Sequence, residues 1–220
     1  MYSRWQLAKK YLNYYFTASN GKGHGIHSPF VFEFITKVIN DRSHYPAYDK
    51  VEGLRWQLLM DNTVLNIEDF GAGSSTPKPD QRTVASIVRS AVKPKKFGQL
   101  LFRMVKMIEP KTILELGTSL GITTSYLSLA KPDCNLVTLE GAKEVADIAN
   151  RNFKTLGLQN ISIIEGNFDK TLSSVISPLL SVDFAFIDGN HRQEPTERYF
   201  QQLLSKTNND SVLVFDDIHW

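Results

Sequence analysis

Thr112-Ile113-Leu114-Glu115-Leu116-Gly117-Thr118-Ser119-Leu120-Gly121, residues 112–121, is the stretch on which the fold turns. An apolar, β-compatible run closes in a carboxylate, passes through Gly-x-x-x-Gly, and continues into a helix-compatible run from Ile122 to Ala130. That order describes a strand, a loop whose backbone lies close against a ligand, and a helix. A dinucleotide loop would read G-x-G-x-x-G, with a glycine at the middle position to admit the pyrophosphate. Ser119 stands there instead, which disfavours an NAD-linked oxidoreductase.

Working outward, Leu136-Val137-Thr138-Leu139-Glu140 is a second buried-strand pattern, and its carboxylate follows Glu115 by 25 residues. In open α/β sheets the ribose-binding acid sits at the tip of the second strand, roughly 20 residues past the glycine loop. Glu140 is therefore the expected acceptor for two ribose hydroxyls. A helix is expected from Ala142 to Leu156 with Gly157 as its stop. Ile161–Glu165 reads as a third strand with Gly166-Asn167-Phe168 at its tip, and 183–188 as a fourth, followed by Gly189-Asn190-His191. Ser211–Asp217 reads as a fifth. Five apolar strands alternating with helical segments imply a parallel sheet covered on both faces. Glu115, Glu140, Asp188 and Asp216 all fall at carboxyl ends of strands, where such sheets bind ligands.

The E-x-G-x-x-x-G run (115–121) resembles motif I of the class I S-adenosylmethionine-dependent methyltransferases. The resemblance implies a Rossmann-like α/β sheet with strand order 3-2-1-4-5, a methyltransferase core over 97–220 and a mainly helical extension over 1–96. It implies S-adenosylmethionine as cofactor, with Glu115 facing the methionine ammonium and Gly117 and Gly121 letting the chain pass beneath it. Thr118, Ser119, Thr123, Glu140, Gly141 and Asp188 complete the implied cofactor set, and Asn167 and Phe168 border adenine. The Phe-Ile-Asp-Gly-Asn-His run (186–191) narrows the likeness to small-molecule O-methyltransferases of the catechol O-methyltransferase kind. In their metal-dependent members an acid ending strand four and an Asp-Asn pair ending strand five hold Mg²⁺. Those positions are Asp188, Asp216 and Asp217 here, with Asp217 departing from the asparagine. The catalytic lysine of that group falls near His191, so His191, with Asp188, is the implied acid–base machinery. The acceptor would be an oxygen, or a nitrogen, of a small molecule, with an anionic one suited to the basic residues of 78–111. A non-catalytic nucleotide- or partner-binding module on the same fold is the alternative.

Such sheets normally continue into a hairpin beyond strand five, and this sequence stops at Trp220. A C-terminally truncated chain is thus expected, binding cofactor without measurable turnover. The fifth strand would be an unpaired apolar edge, to be covered by Val64–Ile67 or by self-association.

The remaining sequence says less about chemistry. Residues 2–17 carry Tyr2, Trp5, Leu7, Tyr11, Leu12, Tyr14, Tyr15 and Phe16 among basic residues, the pattern of a helix that packs on its own domain or a partner subunit, or lies on a membrane surface. Ser28-Pro29 opens an expected helix over Phe30–Asn40, and His24 and His27 are too isolated to hold zinc. Asp69-Phe70-Gly71-Ala72-Gly73-Ser74 imitates motif I, but prolines at 77 and 79 interrupt the helix that should follow. Residues 78–111 are strongly basic within a chain of formal charge +2, a solvated helix face or an attractor of anions more than a nucleic-acid surface. Phe97, Leu100, Leu101, Met104, Val105 and Ile108 mark a helix covering the sheet. The single Cys134 excludes an internal disulfide and fits a reducing compartment, so the cytoplasm is expected. No apolar run approaches the roughly 18 residues of a membrane span.

Overall fold

The computed structural model describes residues 4–17, 28–67, 81–190 and 192–217. Two compact units divide the chain, Met1–Ser43 and His44–Trp220. In the first, the aromatic-rich segment forms helix α1 (Arg4–Thr17). Helix α2 (Pro29–Phe34) starts where Ser28 accepts a hydrogen bond from the Val31 amide, and it runs into a π-helical turn over Ile35–Ile39. The helix expected over 30–40 is therefore two geometries in series.

The second unit holds α3 (Pro46–Leu59), β1 (Val64–Asn66), β2 (Gln81–Thr83), α4 (Val84–Ser90) and α5 (Lys95–Ile108) ahead of the sheet. The sheet is built from β3 (Thr112–Leu116), β4 (Asn135–Glu140), β5 (Ile161–Glu165), β6 (Phe184–Ile187) and β7 (Val212–Phe215). Between them run α6 (Ile122–Ala130), α7 (Lys143–Leu156), α8 (Phe168–Ile176) and α9 (Gln193–Leu204). All strand pairs are parallel and the order is β5-β4-β3-β6-β7, which is the expected 3-2-1-4-5.

Alternation along β3 assigns its two faces. Leu114 and Leu116 point into one core with Val137, Leu139, Ala185 and Ile187, closed by Leu172 and Ile176 of α8 and Tyr199 and Leu203 of α9. Glu115 points the other way, towards α6, where it meets Thr124. On that side a second core joins Leu120, Ile122 and Tyr126 to Tyr48, Val51, Leu54 and Leu58 of α3, Val84, Ile87 and Val88 of α4, and Phe102 of α5. Residues 44–96 thus belong to the same compact unit as the sheet, and the extension expected to end at 96 is divided at residue 43. The reason is apolar: α3 places four buried side chains in the core that it shares with α6.

Val64–Asn66 pairs antiparallel with Gln81–Thr83 in a separate two-stranded sheet, so it does not cover the edge of strand five as the sequence suggested. Both Asn66 nitrogens are held by the Glu144 carboxylate at 2.7 and 2.9 Å, which moors this hairpin to the first turn of α7. Among the described residues β7 is paired on one side only, with β6. No helix among the described residues is long and apolar enough to cross a membrane.

Candidate functional site

The candidate site lies at the carboxyl ends of the strands, around Glu115 of the central strand β3. This side chain has no exposed surface. Thr124 Oγ1 donates to its Oε2 at 2.5 Å and Thr138 Oγ1 donates to the same oxygen at 2.7 Å. Thr118 and Thr138 share a further hydroxyl bond of 2.6 Å. Oε1, equally buried, has no hydrogen-bond partner among the described residues. Burial pushes this carboxyl up to about 8, against the opposing pull of the two threonine hydroxyls.

Above Glu115 the loop makes a left-handed excursion at Gly117, Ser119 and Gly121, with φ of 102°, 48° and 78°. Gly117 cannot be anything else: a Cβ there would stand 2.3 Å from the carbonyl oxygen of Asp188. Ser119 takes a conformation that costs an ordinary residue about 1–2 kcal/mol. Its amide donates to Glu140 Oε2 at 2.8 Å, and Glu140 Oε1 accepts from the Ala142 amide at 3.0 Å. Glu140 therefore ties the glycine loop to the start of α7. Burial raises its pKa, and the Ala142 and Ser119 amides oppose that shift. Thr118 and Thr123 are buried in the loop and the first turn of α6. Gly141 follows Glu140 at the rim, half-buried.

At the same end of the sheet, Asn167 caps α8 by accepting from the Asp169 amide at 2.8 Å. Phe168 lies so close to Gly189 that a Cβ at 189 would stand 2.6 Å from its ring. The two loops are also pinned by polar contacts. Asn190 Nδ2 donates to the Tyr199 hydroxyl at 3.0 Å, and that hydroxyl donates to Asp169 Oδ1 at 2.7 Å. Asn190 is itself left-handed, with φ 52°. His191 lies outside the described residues.

Asp188 and Asp216 emerge side by side, because the register pairs Ile187 with Phe215. Between them sits Lys93, from the turn joining α4 to α5. Its Nζ is 3.1 Å from Asp188 Oδ1 and forms an ion pair with Asp216 Oδ2. Burial raises the Asp188 carboxyl to about 6 even though the Lys93 ammonium pulls the other way. Asp217 is exposed, with φ 50°. Among the described residues no three acidic, histidine or cysteine side chains converge closely enough to hold a metal ion. Asp188, Asp216 and Asp217 thus form no three-acid cluster, and Lys93 already lies between the first two.

Residues 114–218 match the methyltransferase-domain family. That match takes in just under half of the chain, from the second half of β3 to just past the end of β7. It is 29% identical over 124 residues to a catechol O-methyltransferase of Niastella koreensis, an alignment covering 55% of each chain. A release factor glutamine methyltransferase of Escherichia coli is 26% identical over 113 residues, or 50% of this chain and 40% of that one. Among solved structures, the Streptomyces achromogenes O-methyltransferase of tomaymycin synthesis, in complex with S-adenosylmethionine, superposes with a TM-score of 0.54 at 26% identity, covering 57% of both chains. The chain spans about half the length of the curated relatives it matches.

The fold brings Glu115, Gly117, Ser119, Glu140, Phe168 and Asp188 to the carboxyl end of the sheet. Three contributors escaped the sequence: Lys93, submerged in a basic run; Thr138, which looks like any strand residue; and Tyr199, an aromatic on an amphipathic helix. Only Thr138 left a signal, as a polar residue inside an otherwise apolar strand.

The buried Glu115 and half-buried Asp188 carboxyls set a pH dependence. Glu115 and Asp188 hold their protons more tightly folded than unfolded, so their charging penalises the folded state as pH rises. The window runs from the ordinary carboxylate range to about 6 for Asp188 and about 8 for Glu115. We expect the denaturant midpoint of the ligand-free domain to fall between pH 5 and pH 8 on this account, and Glu115→Gln to flatten the part above pH 6. An unchanged slope in that variant would show that Glu115 is ionised throughout.

Proposed function

We propose that this domain binds S-adenosylmethionine at the carboxyl ends of β3 and β6 and methylates an oxygen of a small-molecule acceptor. The observation that carries the reading is the buried Oε1 of Glu115, unpartnered among the described residues, beneath a loop whose Gly117 admits no side chain. A buried carboxyl oxygen without a protein partner gains most from a cationic donor, which would favour its charged form, and an α-ammonium is one. The residues present fit the cofactor. Glu115 would hold the ammonium, Glu140 the ribose hydroxyls through the lone pairs its two amide donors leave free, and Phe168 one face of the base. The cofactor, when bound, would supply an electrophilic methyl group on sulfur. The chain's own part is mainly positioning, the chief device of an in-line displacement. Gly117 keeps the loop against the backbone of β6, so the acids at the β6 and β7 tips stand at a fixed distance from the cofactor floor. Asp188, half-protonated near pH 6 and half-buried beside Lys93, would take the acceptor's hydroxyl proton.

The test is a thermal-shift and calorimetry panel with S-adenosylhomocysteine, NAD and ATP. S-adenosylhomocysteine alone is expected to raise the melting temperature, by mass action on the folded state. Stabilisation by NAD and none by S-adenosylhomocysteine would sink the reading. Transfer of labelled methyl groups to a panel of hydroxylated and amino acceptors then separates oxygen from nitrogen.

A further inference from the structure

We infer that Lys93 is a built-in cation that occupies the place of a divalent metal at the β6 and β7 tips. The inference deepens the proposed methyl-transfer site and rests on that reading for its purpose, though not for its test.

Its basis is geometric. Parallel pairing of β6 and β7 sets the Asp188 and Asp216 carboxylates next to each other, and two such anions side by side repel unless a cation lies between them. That cation is already present within the chain. The Lys93 ammonium contacts one oxygen of each carboxylate, and its side chain is 16% exposed. Pro94 follows directly and is the N-cap of α5, so the residue before it is disposed to extended backbone and the lysine leaves the turn in a set direction. α4 and α5 on either side are anchored by Ile87, Val88 and Phe102 in the core, so the turn that carries the lysine is itself held.

A divalent cation would have to compete with this arrangement. It would share both carboxylates with a tethered ammonium that repels it, and shed tightly held water for two oxygen ligands, the third acid being exposed. The charge also differs. Two carboxylates and one ammonium sum to −1, whereas the same pair around a divalent ion sums to zero. The site therefore keeps negative potential on the side where a sulfonium would lie. An ammonium has three N–H bonds. Its two ion pairs, with Asp188 and Asp216, leave a third N–H for the acceptor: Lys93 would orient a hydroxyl or phenolic oxygen by hydrogen bonding, as a metal would by coordination. On this reading methyl transfer by this chain runs without added divalent ions.

Manganese binding followed by the electron-spin resonance of free Mn²⁺ tests this on the cofactor-free chain. Wild type is expected to bind Mn²⁺ no more tightly than about 1 mM, the weak end of protein sites for divalent ions. Lys93→Ala should gain a site at least tenfold tighter, and adding Asp216→Asn to it should abolish the gain. Lys93→Gln, which keeps a donor in the turn, serves where the alanine variant does not fold. Wild-type binding tighter than about 0.1 mM would overturn the inference, as would a folded Lys93 variant with no gain. Failure of S-adenosylhomocysteine to bind would instead sink the methyltransferase reading and leave this result standing.

Discussion

Gly117→Ala is expected to destabilise the domain by about 3 kcal/mol or more and to abolish binding of S-adenosylhomocysteine. Two costs combine. A non-glycine residue at φ 102° is strained by about 1–3 kcal/mol. The added methyl would also meet the Asp188 carbonyl oxygen at 2.3 Å, and neither partner is a flexible side-chain end that can swing aside. Gly117 donates its amide to Leu139 O at 3.0 Å while Asp188 donates its own to Leu116 O at 2.8 Å, so a shift of either segment breaks ladder bonds. Urea unfolding gives the first number and calorimetry the second. A variant within about 1 kcal/mol of wild type that still binds would mean the loop is not locked to β6.

The second large effect is at Glu140. Glu140→Ala removes the acceptor for the Ser119 and Ala142 amides together with the proposed ribose contact. We expect S-adenosylhomocysteine to bind about 1.5–3 kcal/mol more weakly, the range for a hydrogen bond to a charged group. Loss of the loop's tether would give a similar number, so a double cycle with a ligand lacking the ribose hydroxyls is needed. If Glu140 holds the ribose, that ligand binds wild type weakly and loses little more in the variant. Equal losses for both ligands would leave Glu140 as a loop tether only.

Much of this site was legible because it depends on short-range pattern. Each of β3 to β7 is an apolar run closing at an acid, and parallel sheets bring such ends together whatever lies between them. The glycine loop and Gly157, left-handed at the end of α7, were equally local. Lys93 was not legible: in sequence it is one lysine of a basic run, and its partners lie 95 and 123 residues onward at Asp188 and Asp216. Its meaning arises only when β6 and β7 line up. The same applies to α3, whose apolar face is ordinary amphipathic sequence until α6 is set against it. The strained backbone at Ser119 is a third case, since serine gives no hint of positive φ and only the Glu140 carboxylate explains how it is held.

The strand order also bears on how the protein is made. Synthesis runs from one end of the chain to the other, but the sheet grows outward from its middle. β3 emerges first among its strands, then β4 and β5 on one flank, and only afterwards β6 and β7 on the other. A nascent chain that has reached residue 166 owns the glycine loop, Glu115 and Glu140, yet it lacks the carbonyl against which Gly117 rests and both anions that steady Lys93. Half a sheet then waits on the ribosome with one apolar flank of its central strand open, the kind of edge that chaperones attend. No intermediate without β6 and β7 contains the whole site, so the ligand can assist folding only once both have joined the sheet.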